Sequence, residues 1–168
     1  MLEVQNLSMR FGGLLAVDQV SVDVQEHEIV SIIGPNGAGK TTVFNCISGF
    51  YKPTGGKILF QGQEIQGKPD YKISRLGMVR TFQHVRLFSK MTVVENLLVA
   101  QHRHLNTNLI AGLLKTPDYR DREKKSLERA RYWLERVGLL DLANWEAGNL
   151  AYGQQRRLEI ARCMVTEP

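Results

Sequence analysis

A glycine-rich loop constrains this chain more than any other feature of its sequence. Residues 34–41 are Gly-Pro-Asn-Gly-Ala-Gly-Lys-Thr, in which two glycines enclose four residues and precede a lysine and a hydroxyl side chain. Glycine lets the backbone turn successive N–H groups inward, and a helix that begins near Gly39 adds the positive end of its dipole. The pattern predicts a phosphate cradle in which Lys40 reaches the β- and γ-phosphates, the Thr41 hydroxyl ligates Mg²⁺ and Thr42 is a backbone-anchored neighbour.

The residues on either side of the loop support this interpretation. Residues 29–33 form a short β-branched run that predicts a strand buried on both faces in a parallel sheet. Residues 41–48 predict a helix that ends at Gly49 and packs through Val43, Phe44 and Ile47. The alternative is a glycine-rich turn that precedes a lysine by chance, and the order strand, loop, helix makes it less favoured.

The composition limits the class of protein. The 168 residues carry a net charge of +5 and are 43% hydrophobic, enough for one domain with a core. No apolar run reaches the length of a membrane span, and the first residues do not resemble an export signal, so we expect a protein of the reducing cytosol. Basic and acidic residues alternate over residues 115–136, which is typical of a solvated helix face. We expect Cys46 and Cys163 to be buried packing residues and His102 and His104 to be surface residues.

Other segments predict the remaining elements. The predicted strands cover residues 2–7, 17–24, 57–62 and 78–82. One predicted helix begins at Pro69, and another begins at Val93 after a capping box of Thr92 and Glu95. A third carries an apolar stripe that ends at Val137, and a fourth begins near Gly153. Residues 139–149 are expected to form a short helical or irregular connector.

Three further positions are functional candidates. Phe11 is an aromatic residue in a turn between strands, and a lone aromatic there is more often a packing residue than a ligand platform. Gln83 follows a predicted buried strand, where α/β folds place ligand-binding residues. Gly153 at a helix start exposes backbone N–H groups and marks a second candidate anion site.

Together these motifs resemble the ATP-binding subunits of ATP-binding cassette (ABC) transporters, along the length of the chain. Residues 34–42 are similar to the Walker A loop, Phe11 to the aromatic that stacks on adenine, and Gln83 to the Q-loop glutamine. Residues 150–154 are similar to the signature motif. The segments that most resemble the ATPase subunits of bacterial branched-chain amino-acid importers are residues 49–56, 80–88 and 149–162.

The resemblance implies an α/β P-loop NTPase fold with an N-terminal antiparallel β subdomain, a parallel core sheet and a helical subdomain. Approximate bounds are 1–84 for the core, 85–150 for the helical subdomain and 150–168 for the signature motif and its helix. It implies ATP and Mg²⁺ as cofactors, with Lys40 and Gln83 catalytic and with Thr41 and Gln83 at the metal. The implied nucleotide contacts are Phe11, Gly34, Pro35, Asn36, Gly37, Ala38, Gly39, Lys40, Thr41 and Thr42, and the implied contacts to the ATP of a partner subunit are Leu150, Ala151, Tyr152, Gly153 and Gln154.

The same resemblance implies the partners of the chain. They are a second ATPase subunit, identical or different, and transmembrane permease subunits, with a periplasmic binding protein involved only indirectly. The expected location is the cytoplasmic face of the inner membrane, where the chain is peripheral. No nucleic-acid partner is expected.

The sequence departs from the family pattern in two places. The usual signature is Leu-Ser-Gly-Gly-Gln, and Ala151 and Tyr152 replace its serine and first glycine, so we expect weaker γ-phosphate discrimination through the remaining backbone amides. The family also places an apolar strand followed by Asp-Glu, a D-loop and a switch histidine after the signature helix. Residues 1–168 do not contain them, and Glu167 is assigned no catalytic role.

Three alternatives differ from the importer ATPase. A nucleic-acid-associated ABC ATPase usually carries a long coiled coil in this region, and the sequence has no sustained heptads. A P-loop kinase would leave residues 150–154 unexplained. A nucleotide-binding fragment without hydrolysis is the third.

We predict that residues 1–168 alone hydrolyse ATP negligibly, bind it weakly and tend to self-associate, because the carboxylates that orient water and hold Mg²⁺ in the family are not among them. Turnover, ATP affinity and solution size should be compared with a chain extended by about a hundred residues. Equal turnover by a monomeric short chain would show that Glu167 or another carboxylate is catalytic.

Overall fold

The computed structural model describes residues 1–82, 86–101 and 117–168. These residues form two compact units, Met1–Met78 and Val79–Pro168. The predicted division at residues 84 and 150 stays a prediction.

The first unit is built on a four-stranded antiparallel sheet. Its strands are β1 (Leu2–Phe11), β2 (Leu14–Val24), β3 (Gly55–Phe60) and β4 (Gln63–Glu64), in the order β2-β1-β3-β4. In the register, Val4 of β1 lies opposite Val22 of β2 and Ile58 of β3. The strands predicted over residues 2–7, 17–24 and 57–62 are therefore confirmed, each with extended bounds or shifted ends.

Two helices accompany this sheet, α1 (Lys40–Ile47) and α2 (Asp70–Arg75). Val43, Cys46 and Ile47 of α1 are buried, at the i, i+3, i+4 spacing of one helix face. Phe44 is 46% exposed, so its predicted inward position is wrong: the small Cys46 takes that place on the buried face. The core of the unit consists of Val4, Leu7, Met9, Val17, Val43, Cys46, Ile47, Ile58, Phe60, Ile65 and Ile73.

The two predicted buried parallel strands do not form. Residues 29–33 and 78–82 have no strand assignment, and the described residues form no parallel pairing. Ile29 and Ile33 are 94% and 92% exposed, while Ile32 packs partly against the core. A strand buried on both faces needs hydrogen-bonded neighbours, and the pairings of the antiparallel sheet leave residues 29–33 without any.

The second unit is helical. It contains α3 (Val93–Ala100), α4 (Pro117–Arg136), two short 3₁₀ helices (Leu140–Leu142 and Ala147–Asn149) and α5 (Tyr152–Met164). The predicted helices and the short helical connector are confirmed. The core residues are Val93, Leu97, Ala130, Leu134, Leu139, Ala147, Leu150, Leu158, Ala161 and Val165. None of the helices described is both long and apolar enough to cross a bilayer.

The predicted capping box at the start of α3 is present. The Thr92 side chain accepts a hydrogen bond from the Glu95 N–H at 3.2 Å, and the Thr92 N–H donates to Glu95 Oε2 at 2.7 Å. The hydrogen bonds from the Thr92 backbone and then its side chain lower the pKa of the Glu95 carboxyl. Two N–H groups that the first turn of the helix cannot satisfy therefore have partners.

A buried asparagine joins α3 to the segment that precedes it. Asn96 is fully buried; its amide donates to Phe88 O at 3.1 Å and Thr92 O at 2.9 Å, and its Oδ1 accepts from Phe88 N at 3.0 Å. One side chain thus bonds to both polar backbone groups of Phe88, whose O also accepts from the Met91 N–H at 3.0 Å.

We predict that Asn96→Ala lowers the free energy of unfolding by about 1–3 kcal/mol, because Phe88 N loses its buried acceptor and Phe88 O loses one of its donors. Asn144→Ala, at an exposed turn residue of the same unit, is the matched control and should change it by less than about 0.5 kcal/mol. Chemical denaturation measures both. Equal stability of the two variants would contradict the role given to Asn96.

Candidate functional site

The phosphate-loop motif enters α1 through two residues in left-handed conformations. Gly37 has φ of 86° and Gly39, the residue before α1, has φ of 79°. A Cβ atom on Gly39 would lie 2.4 Å from Ala16 O and 3.2 Å from Val17 Cγ2, both on β2. Gly39 is therefore required by its backbone conformation and by its approach to β2, so no larger residue fits there without movement.

The loop itself faces outward. Residues 34–38 are all exposed, although the Ala38 N–H donates to Pro35 O at 3.3 Å. The first N–H groups of any helix have no intrahelical acceptor, and here they belong to the residues that follow Gly39. An exposed loop that leads into these donors and the positive end of the helix dipole is suited to an anion.

The side chain of Lys40 folds back onto the glycine loop. Its ammonium Nζ donates to Gly34 O and to Pro35 O, both at 2.7 Å, and the side chain is half-buried. The cation is held beside the first residues of the loop instead of extending into solvent. A triphosphate on this loop would meet a positioned positive charge, so the donors fit the predicted ligand.

The described residues offer fewer candidate groups for a metal ion than for phosphate. In the described part of the chain, no group of three or more His, Cys, Asp or Glu side chains could hold a metal ion. Thr41, the predicted Mg²⁺ ligand, is exposed on the first turn of α1 and offers one hydroxyl oxygen. That donor fits Mg²⁺, which keeps several waters and often binds through substrate phosphates.

The candidate adenine platform contains two aromatic residues. Phe11 ends β1 and is 41% exposed, and its ring meets that of Tyr51 edge-to-face, with centroids 5.3 Å apart and planes at 81°. Tyr51 follows α1 closely, and its N–H donates to Asn45 O of that helix at 3.1 Å. Tyr51 is not among the residues predicted from the sequence, although its place just after the helix-ending Gly49 is a signal that the sequence contains.

The signature residues surround the start of α5. Leu150 is buried, Ala151 is the N-cap, and Gly153 would have open space around an added Cβ. Ala151 has no side-chain acceptor for the helix, but its own N–H donates to Gln154 Oε1 at 2.9 Å. Half of a capping box is therefore present, and the first-turn N–H groups face an open surface.

Tyr152 occupies this surface together with Arg156. Tyr152 is 67% exposed, and its hydroxyl oxygen accepts from Arg156 Nε at 3.0 Å and from Nη2 at 2.9 Å. Arg156 Nη1 continues to Glu159 Oε2 at 2.9 Å and to Phe82 O at 2.8 Å. A single guanidinium thus links the exposed signature tyrosine to the interior of the second unit.

Glu159 completes this contact from the interior. Its side chain is 7% exposed, and Oε1 accepts from Phe82 N at 3.3 Å. Arg156 and Glu159 together satisfy both polar backbone groups of Phe82, the residue that precedes Gln83. The ring of Phe82 also lies under the guanidinium groups of Arg80 and Arg86, 5.5 and 4.5 Å from its centroid. Arg156 and Glu159 are not among the residues predicted to be functional. Their i, i+3 spacing on one helix is the signal in the sequence that indicates an ion pair.

The other predicted residues lie apart from these motifs or outside the described residues. Gln83, His102 and His104 lie outside the described residues. Cys46 is buried as predicted, and burial raises the pKa of its thiol. Cys163 is half-buried; burial raises the pKa of its thiol, and Sγ donates to Arg80 O at 3.8 Å. Glu167 is exposed and forms an ion pair with the partly buried Arg129 at 3.2 Å.

Curated proteins are similar to this chain over nearly its whole length. BraF of Pseudomonas aeruginosa, a high-affinity branched-chain amino acid transport ATP-binding protein, is 67% identical over 99% of this chain. LivG of Escherichia coli K12, a protein of the same description, is 65% identical over the whole chain. The chain spans 66% of the length of each relative.

A solved structure supports the same assignment. The ADP conformation of MJ1267, an ATP-binding cassette of an ABC transporter, is 34% identical and superposes with a TM-score of 0.82, covering 100% of this chain and 65% of its own. The predicted ABC ATPase fold class is confirmed. A sequence model of the ABC transporter family matches residues 17–168. With nine-tenths of its length inside that match, the chain belongs to the ABC transporter family.

Proposed function

We propose that this chain is the nucleotide-binding part of an ATPase subunit that powers an importer of branched-chain amino acids. The observation that carries the proposal is the ammonium of Lys40, held at 2.7 Å on Gly34 O and Pro35 O beside an exposed glycine loop. The solute is proposed from the names of the relatives, BraF and LivG, which describe branched-chain amino acid transport. The nucleic-acid and kinase alternatives receive no comparable support.

The loop would bind the triphosphate of ATP. Lys40 would exchange its bonds to Gly34 O and Pro35 O for bonds to the β- and γ-phosphates. The backbone N–H groups of residues 34–42 would surround the phosphates, and Phe11 would stack on adenine. Mg²⁺ supplies charge neutralisation between the phosphates when it is bound, with Thr41 and Gln83 as the residues that would hold it.

The start of α5 would face the nucleotide of a second ATPase subunit. Ala151 lacks the hydroxyl of the usual serine, so the contact would depend on the backbone amides near Tyr152 and Gly153. The dipole of α5, a helix of 13 residues, adds to their attraction for phosphate. We infer from this that the γ-phosphate is recognised through the backbone and the helix end.

Hydrolysis and transport would require partners. Lys40 would stabilise charge on the transferred phosphoryl group, and Gln83 would sense the γ-phosphate or Mg²⁺. Transmembrane permease subunits would contact the ATPase subunit at the cytoplasmic face of the inner membrane and would respond to its change of conformation. A periplasmic binding protein would act only through the permease, and no nucleic acid is required.

We predict that Lys40→Ala weakens ATP binding by about tenfold or more, because a charge-assisted hydrogen bond contributes roughly 1.5–3 kcal/mol. Titration with a fluorescent ATP analogue measures the change. Lys72→Ala removes an exposed lysine of α2 in the same unit and is the matched control. Unchanged affinity, together with unchanged ATPase activity of the same variant in the extended protein, would reject the assignment of the loop.

Phe11 gives a second test of nucleotide binding. Phe11→Ala should weaken ATP binding several-fold, because stacking of a base on an aromatic side chain contributes about 1–3 kcal/mol. Phe11→Tyr and Phe11→Trp retain a ring and should preserve the affinity. If the Ala and Tyr variants bind ATP equally well, Phe11 is only a packing residue.

A further inference from the structure

Tyr51 is not one of the predicted nucleotide contacts, yet its ring contacts that of Phe11, which is. Its ring lies 5.3 Å from that of Phe11 in an edge-to-face arrangement. Such pairs contribute beyond the area they bury, because the positive edge of one ring faces the negative face of the other. Tyr51 therefore restricts the orientation of the Phe11 ring.

The backbone next to Phe11 gives little restriction of its own. The following residues, Gly12 and Gly13, form the turn between β1 and β2, and a Cβ on either would have no atom within 4 Å. Phe11 is thus the last side chain of its strand before an open turn. A ring in this position needs a lateral contact to hold one orientation, and Tyr51 provides one.

Tyr51 is itself fixed to the helix that follows the phosphate loop. The N–H groups of Phe50 and Tyr51 both donate to Asn45 O of α1, at 2.9 and 3.1 Å. Gly49, with φ of 79°, is packed so closely that a Cβ would lie 2.6 Å from Lys68 O. The bend that carries Tyr51 is therefore held between α1 and the segment that precedes α2.

We propose that Tyr51 is a positioning residue for the nucleobase, which holds the Phe11 ring at a fixed place relative to α1. An edge-to-face contact occupies at most one face of Phe11, and Phe11 remains 41% exposed, so a planar base can stack on the other face. The inference rests on the proposed stacking of adenine on Phe11. It assigns Tyr51 an effect on the base alone, because its ring contact is with Phe11 and its N–H donates to Asn45 O, neither of which belongs to residues 34–41.

The experiment compares ATP with inorganic tripolyphosphate as ligands of the purified protein. Tyr51→Ala should weaken ATP about three- to tenfold and leave tripolyphosphate affinity unchanged. Tyr51→Phe keeps the ring and should retain wild-type ATP affinity. Tyr71→Ala removes a 56% exposed tyrosine of α2 in the same unit and is the matched control, with no expected effect on either ligand.

A double-mutant cycle tests whether Tyr51 affects ATP affinity through Phe11. If Tyr51 acts through Phe11, the variant with both Phe11→Ala and Tyr51→Ala binds ATP no more weakly than Phe11→Ala alone. Additive losses, equal losses for the two ligands, or no loss in Tyr51→Ala while Phe11→Ala is impaired would each overturn the inference. If Phe11→Ala leaves ATP affinity unchanged, the proposed adenine stacking fails, and the role of Tyr51 fails with it.

Discussion

The close contact between Gly39 and β2 is the constraint on which the first unit depends. At this point the glycine loop ends, α1 begins and the backbone of Ala16 approaches to a distance that leaves no room for a side chain. β2 is paired with β1 along its length, and β1 ends at Phe11. The antiparallel sheet therefore sets the start of α1 and the position of Phe11 together. The geometry of the predicted nucleotide site is a property of this sheet.

In the second unit the corresponding constraint is electrostatic. Glu159 lies in the interior, where an unpaired carboxylate would be strongly unfavourable. Arg156 supplies the opposite charge, and the backbone of Phe82 uses the remaining hydrogen-bonding capacity of the pair. The chain before Gln83 is consequently held by α5, whose first turn carries the signature residues. The guanidinium of Arg156 thus contacts both Phe82 and the exposed Tyr152.

Local chemistry made much of this structure predictable, and non-local pairing limited the rest. The capping box at Thr92 and the glycine loop depend on residues within one or two turns, and both could be recognised from spacing alone. The β-branched run at residues 29–33 satisfies the local pattern of a buried strand, but a strand exists only where another strand pairs with it. The contact of Tyr51 with Phe11, and those of Arg156 and Glu159 with Phe82, join residues that are distant in sequence, which no periodicity reveals.

Arg156, which joins an exposed tyrosine to a buried carboxylate, limits how this sequence can change over evolutionary time. Arg156 bonds to Tyr152, to Glu159 and to the carbonyl of Phe82. A single substitution at position 156 leaves the buried Glu159 carboxylate without its charged partner, whereas a joint exchange of both residues for apolar ones avoids that penalty. Selection therefore acts on the pair as one unit, and divergence at these two positions should be concerted. Tyr152 of the signature bonds to the same guanidinium, so an exchange at position 156 also removes the donors to its hydroxyl oxygen.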